Sequence, residues 1–386
     1  MSSSTPTVAV VGTGTVGTMA LWHLAKRGVP AVGFDAYAPG HDRGGYGGQT
    51  RIFRMAYREG AEYVPLLRRS LDLWRTLESE TDSALLTRTG GLTIAPEGHP
   101  DLEMVRRCAD EFDLPHEELT PQQSRQRFPH LPVEPGEQVF LDRTAGVLRP
   151  ERAVIAAAAH SEVLGAQLHR YCPVLGIQAD GDGVVVRTAA GEQRFDRVIL
   201  TPGPWATELA ELAGLPLEVH QITTLWYQQR RSGEFAPERT PIVIRTGPIA
   251  FSSFPAVDGE TVKVSLHSLA RPRIRSAEEV TRNPAPELSV AMREAVTRFL
   301  PGVYPDPVRV GSYADSFTPD AHAAIGELPD LPNVTVLTGL SAHGFKLAPV
   351  FGEIAADLAV DGATQHDISH LHLARHVRPS TAGVTR

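Results

Sequence analysis

One stretch near the start of the chain constrains the fold more than any other. Val8-Ala9-Val10-Val11 is short and wholly apolar, the pattern of a strand buried on both faces. Gly12-Thr13-Gly14-Thr15-Val16-Gly17 follows at once, then a helical stretch over 19–27 that Gly28 stops. Val32-Gly33-Phe34 predicts a second strand, and it ends at Asp35. Glycines at three fixed positions between a strand and a helix form the fingerprint of a dinucleotide-binding βαβ unit. Gly12 permits the tight turn, Gly14 lets the backbone approach a pyrophosphate, and Gly17 lets the helix pack closely on the strand. Thr13, Gly14, Thr15 and Val16 then line the pyrophosphate, where the helix N-terminus offers free N–H groups. Asp35 can accept hydrogen bonds from ribose hydroxyls, and its charge disfavours the 2′-phosphate of NADP. The unit alone leaves NAD and FAD open.

Two later segments predict returns to the same sheet. One is the apolar strand 196–200, followed by Thr201-Pro202-Gly203-Pro204-Trp205. The other is 333–337, followed by Thr338-Gly339. Both place glycine just past the C-terminal end of a strand, where α/β sheets bind ligands. Helices are expected over 150–164 and 348–360. The predicted dinucleotide domain is therefore discontinuous, built from 1–84, 146–216 and 312–376. The pieces between, 85–145 and 217–311, predict a second domain, and the latter is rich in strand signals. A ligand is expected between the two. Leu67, Leu71 and Trp74 recur at helical spacing and read as core packing. The polar stretch 377–386 predicts a mobile tail.

Composition narrows the function classes. The net charge of −8 and an isoelectric point near 6.0 argue against a nucleic-acid binder. Cys108 and Cys172 show neither metal-ligand spacing nor a disulfide framework, which fits a reducing compartment and predicts no metal. No apolar run approaches a membrane span, and Met1–Thr7 lacks the basic and apolar regions of a signal peptide. A cytoplasmic protein, monomeric or weakly homo-oligomeric, is expected. Only three of the 37 Lys and Arg residues are lysine: Lys26, Lys263 and Lys346. A chain this biased toward Arg keeps Lys where a compact charge with a movable pKa is needed. Lys26 lies near the end of a predicted surface helix. Lys263 and Lys346 sit in apolar surroundings and point to an active site.

Read together, the fingerprint, Thr50-Arg51-Ile52-Phe53-Arg54, Thr89-Gly90-Gly91, Pro202-Gly203-Pro204-Trp205, Lys263 with His267, Thr318-Pro319-Asp320 and His343-Gly344-Phe345-Lys346 make the chain resemble one family. That family is the FAD-dependent amine oxidases related to monomeric sarcosine oxidase and N-methyltryptophan oxidase, within the wider D-amino-acid-oxidase and glycine-oxidase group. The resemblance covers nearly the whole chain. It implies an α/β fold, with a Rossmann-type FAD domain of the glutathione-reductase-like kind and a second α+β substrate domain on an antiparallel sheet. It implies FAD, a small amino-acid-like substrate with a carboxylate, oxidation of a C–N bond to an imine, and reoxidation by O2 to give H2O2.

The resemblance also implies roles. Lys263 matches the lysine that activates oxygen, and Lys346 with Arg54 matches the pair that holds the substrate carboxylate. Arg51 matches an arginine close to the flavin, and His267 and His343 match histidines near substrate and flavin. Thr50, Gly203, Trp205, Gly339, Gly344 and Phe345 are expected along the cofactor.

Two departures stand out. Tyr313 occupies the position of the cysteine that tethers flavin in the best-known members, which predicts dissociable FAD. The loop Gly44-Gly45-Tyr46-Gly47-Gly48-Gln49 replaces Ser and His residues, which suggests a looser cover and a larger substrate. Phe251, Phe254, Trp226 and Tyr227 read either as an aromatic pocket or as core. A flavin dehydrogenase with another acceptor, an NAD-dependent dehydrogenase and a non-catalytic flavoprotein are the alternatives.

Overall fold

The computed structural model describes residues 5–209, 212, 214–267 and 271–376. The expected tail 377–386 lies outside the described residues. The first βαβ unit forms, with β1 at Val8–Val11, α1 at Thr15–Lys26 and β2 at Ala31–Phe34; the helix starts four residues before the expected 19–27, inside the glycine fingerprint. Strands β1 and β2 pair in parallel, and β1 pairs on its other side with Arg197–Leu200. Leu331–Thr338 extends the sheet, and Ala324–Leu328 closes that edge antiparallel. Gln167–His169 closes the opposite edge. The result among the described residues is a six-stranded sheet assembled from distant stretches of chain.

Helix α1 is a buried helix, not the surface helix expected: Val16 to Ala25 are all buried. It packs between Ala348–Asp361 and Pro150–Val163. Gly352 allows that contact, since a Cβ there would lie 2.5 Å from Met19. Lys26 ends α1 paired with Glu80, so its role is structural. Leu67 and Trp74 are fully buried and Leu71 packs beside them, in the core cluster that also holds α1. Each such large side chain contributes roughly 1.5–3 kcal/mol by burial.

A second, nine-stranded sheet is almost wholly antiparallel. It gathers Gly91–Pro96, His116–Leu119 and Glu137–Asp142 with strands from Glu218–Gln229 onward. The long strands Glu218–Gln229 and Val303–Phe317 pair along most of their length. Ile242–Arg245 lies parallel to Gly91–Pro96 and joins the two sets. Tyr227 and Phe251 fall in the core under this sheet. A small sheet of Arg51–Phe53, Gly146–Leu148 and Leu86–Arg88 sits apart. No described helix is long and apolar enough to cross a membrane.

Candidate active site

A cavity of about 630 Å³ runs from the glycine turn of the six-stranded sheet to the face of the nine-stranded one. Its first end is built by the fingerprint. Gly12, Gly14, Thr15 and Val16 line it, while Thr13 and Gly17 shape it from behind. A Cβ on Gly12 would lie 2.4 Å from the Thr201 carbonyl oxygen, and one on Gly17 would lie 1.9 Å from that of Gly12. Glycine is therefore required by contact as well as by the positive φ of Gly12. Asp35 faces the cavity from the tip of β2, and its Oδ2 accepts from the Thr13 backbone N–H at 2.7 Å. Gly203 and Trp205 line the same end, with the Trp205 ring 5.9 Å from that of Tyr37. Gly339 turns the chain behind the wall, where its N–H donates to Ser316 Oγ.

These features fit an FAD. The glycine turn leaves a bare backbone cradle at a helix N-terminus, and Asp35 stands at the ribose position. Farther along, the buried hydroxyls of Thr50 and Thr338 have no protein partner and line the cavity. Thr50, Arg51, His343, Gly344, Phe345 and Lys346 also line it.

The two apolar-context lysines meet here. Lys263 is 4% exposed on Thr261–Leu266. Its Nζ donates to the carbonyls of Thr50 at 2.7 Å and Gly48 at 3.1 Å, and lies 4.1 Å from the Phe254 ring centre. Burial, then nearby Arg51, pushes its ammonium well below the usual lysine range. Lys346 Nζ donates to the His343 carbonyl at 2.8 Å and to Tyr57 Oη at 3.2 Å. Burial lowers it to about 7, with Glu59 opposing and Arg54, Arg58 and Arg51 assisting. The Lys346 carbonyl is anchored by Ser70 Oγ and Trp74 Nε1, so the helix read as core packing also fixes this lysine.

The histidines are neutral in this setting. His343 Nε2 donates to the Ala321 carbonyl, so its Nδ1 accepts from Tyr57 O–H. Burial and Lys346 lower it to about 4. His267 lies 2.8 Å from Ser252 Oγ, and burial with the cations Arg58, Arg271 and Arg54 lowers it to about 3.

Arg51 is committed to the backbone, donating to the carbonyls of Thr50 and Gly45. Arg54 brings a group that sequence reasoning missed. Its Nη2 reaches both carboxylate oxygens of Glu59, at 2.9 and 2.8 Å, while Nε and Nη1 stay buried without a partner. Burial works against the Glu59 charge, but Arg54 and Arg58 hold its carboxyl below the usual range. Arg54 and Lys346 thus flank an internal carboxylate as well as the cavity. Glu151 and Asp315 were also missed. Glu151 accepts the N–H groups of Gly48 and Gln49. Asp315 accepts those of Ser316 and Ala342, and burial raises it to about 6. Their only sequence signals are Glu59 five residues from Arg54 and an acid in a helix's first turn.

The glycine-rich loop is not a loose cover. A Cβ on Gly47 would lie 2.2 Å from the Tyr313 ring, and one on Gly44 would lie 2.9 Å from that of Tyr46. The glycines make room for two tyrosines. Of the four aromatics of uncertain role, Phe254 lines the cavity, and Trp226 donates to Gln49 beneath the loop.

Residues 7–358 match the model of the family described as DAO, FAD dependent oxidoreductase. The chain is 35% identical over 373 residues to a monomeric sarcosine oxidase of Streptomyces avermitilis, covering 95% of this chain and 96% of that one. It is 32% identical over 374 residues to an N-methyl-L-tryptophan oxidase of Escherichia coli O139:H28, covering 95% and 98%. Among solved structures it superposes with TM-score 0.82 and 25% identity on NikD, an unusual amino acid oxidase essential for nikkomycin biosynthesis, covering 95% and 98%. The chain belongs to the DAO family of FAD-dependent oxidoreductases.

Proposed function

We propose that this protein is an FAD-dependent oxidase of an amino acid or N-alkyl amino acid, with FAD held without a covalent bond. FAD supplies the two-electron oxidation of the substrate C–N bond to an imine and passes the electrons to O2 as hydrogen peroxide. The observation that carries the reading is the meeting of Lys263, Lys346 and Arg54 in one cavity that begins at the glycine turn. The chain's own groups then divide the work. Lys346 and the free edge of Arg54 bind the substrate carboxylate by charge-assisted hydrogen bonds. His267, kept neutral by burial and the surrounding cations, accepts or donates one hydrogen bond near the amine without adding charge. Lys263, with two donors fixed on carbonyls, presents its third toward the cavity, where it stabilises negative charge developing on oxygen. Residues 1–84, 146–216 and 312–376 serve as the FAD-binding domain, and 85–145 with 217–311 as the substrate domain.

Tyr313 packs on Gly47 and Gly48 where the family's tether would stand, which supports dissociable FAD. Acid precipitation tests this: flavin is expected in the supernatant, and flavin in the pellet would reject it. The activity is tested by peroxide release on a panel of free and N-methyl amino acids. Lys263→Met is expected to keep FAD bound and to slow reoxidation by O2 at least about a hundredfold. Unchanged oxygen kinetics would remove Lys263 from the reaction.

A further inference from the structure

Arg271 is the one cavity-lining cation whose guanidinium meets no protein acceptor among the described residues. Arg54 reaches Glu59, and Arg58 reaches both Glu59 and Asp101. Arg51 and Lys263 spend donors on backbone carbonyls, and Lys346 spends two on a carbonyl and Tyr57. Arg271 lines the same cavity, its Nε is buried without a partner, and its side chain makes no ion pair. Leaving a buried guanidinium unmatched is costly, and a cation beside other cations is more so. Arg58, Glu59 and Asp315 line the cavity with it, and after burial the Arg58 charge bears on it most, opposed by Asp315 and Glu59. Asp315 and Glu59 offset part of its charge, but neither forms an ion pair with it among the described residues. Arg54, Lys346, His267 and Arg271 line the same cavity of about 630 Å³, so one molecule bound there has all four beside it.

We propose that the substrate carries two anionic groups: its α-carboxylate on Arg54 and Lys346, and a side-chain carboxylate on Arg271. The substrate class is then an acidic free or N-alkyl amino acid. This rests on the reading of the cavity as an amino-acid oxidase site. A monoanion leaves Arg271 unmatched, whereas a dianion neutralises it with a bidentate pair. The same arrangement discriminates against neutral side chains, because they desolvate Arg271 without replacing its water.

The test titrates the holoenzyme with butyrate, succinate and glutarate, following the visible flavin spectrum. Succinate or glutarate is expected to bind at least about tenfold more tightly than butyrate. Arg271→Met is expected to abolish that advantage by weakening the dicarboxylates while butyrate binds no more weakly than before, and Arg271→Lys to restore part of it. In peroxide assays, the kcat/KM of N-methylglutamate or N-methylaspartate relative to N-methylalanine is expected to fall by the same factor in Arg271→Met. Dicarboxylates that bind no better than butyrate, or an advantage that survives Arg271→Met, would overturn the proposal while leaving the oxidase reading intact. If no carboxylate perturbs the flavin and no amino acid yields peroxide, the oxidase reading falls and the proposal with it.

Discussion

Lys346 carries the sharpest residue-scale consequence. Its ammonium is buried among Glu59, Arg54, Arg58, Arg51, Tyr57 and His343, and titrates at about 7. A carboxylate needs the charged form, so its affinity falls as pH rises through that value. The Kd of butyrate, which has no amine to titrate, is expected to be flat below pH 7 and to climb toward tenfold per unit above it. His343, at about 4, stays neutral throughout, and Asp315, at about 6, is mostly ionised before the climb begins. Lys346→Met should weaken binding and flatten the profile; a flat wild-type profile from pH 7 to 9 would reject the assignment. The same shift bears on stability. A lysine lowered from 10.5 to about 7 penalises folding fully below pH 7, and the penalty fades between 7 and 10.5. The two cavity-lining lysines were legible because only three of the 37 Lys and Arg residues are lysine. Arg271 was illegible for the same reason, as one of a crowd of arginines. Nothing in its neighbours along the chain says that its guanidinium faces a cavity.

At the scale of elements, local patterns were readable and meetings between loops were not. The glycine turn, its flanking strands and the helix after it follow from short-range spacing, and only the helix start, at Thr15 and not at Met19, was misplaced. Helix α1 misled because only its partners, Pro150–Val163 and Ala348–Asp361, decide that both its faces are covered. The loop at 44–49 misled in a similar way. Its glycines suggested slack, yet they answer the Tyr313 ring, which arrives from a strand more than 260 residues away. Glu59 and Asp315 escaped notice because their importance depends on which cation the fold sets beside them. The loop reading is tested by Gly47→Ala, whose Cβ would meet Tyr313 at 2.2 Å. It is expected to destabilise the protein by about 1–3 kcal/mol through overpacking. Combining it with Tyr313→Ala should recover most of that loss. Denaturant unfolding of the two single variants and the double variant measures the coupling, expected at about 1 kcal/mol or more. Additive losses would mean the ring and the glycine do not compete for the same space.

At the scale of the whole molecule, the cavity is where the two sheets face each other. Val11, Phe34 and Leu337 reach it from the six-stranded sheet, and Ile222, Ile244, Phe254 and Lys263 reach it from the nine-stranded one. One buried cluster already joins Val8 and Val10 of the six-stranded sheet to Ala95 and Phe140 of the nine-stranded one, so a ligand spanning the cavity adds contacts to an interface the protein makes itself. FAD should then act as a structural bridge in addition to its chemistry. A ligand that binds only the folded state stabilises it by RT ln(1 + [L]/Kd), about 2.7 kcal/mol at a hundredfold excess over Kd. In a chain this long, that amounts to a rise in Tm of about 3 °C. Thermal unfolding of deflavinated protein, with FAD added back in steps, is the direct measurement. A Tm that climbs with the logarithm of FAD concentration supports the bridge. The nine-stranded core should gain as much as the six-stranded one, so Trp226 under the loop and Trp22 in α1 should melt together in the holoprotein. If added FAD raises the transition around Trp22 alone, the cofactor belongs to one sheet and the second is held by the protein's own interface.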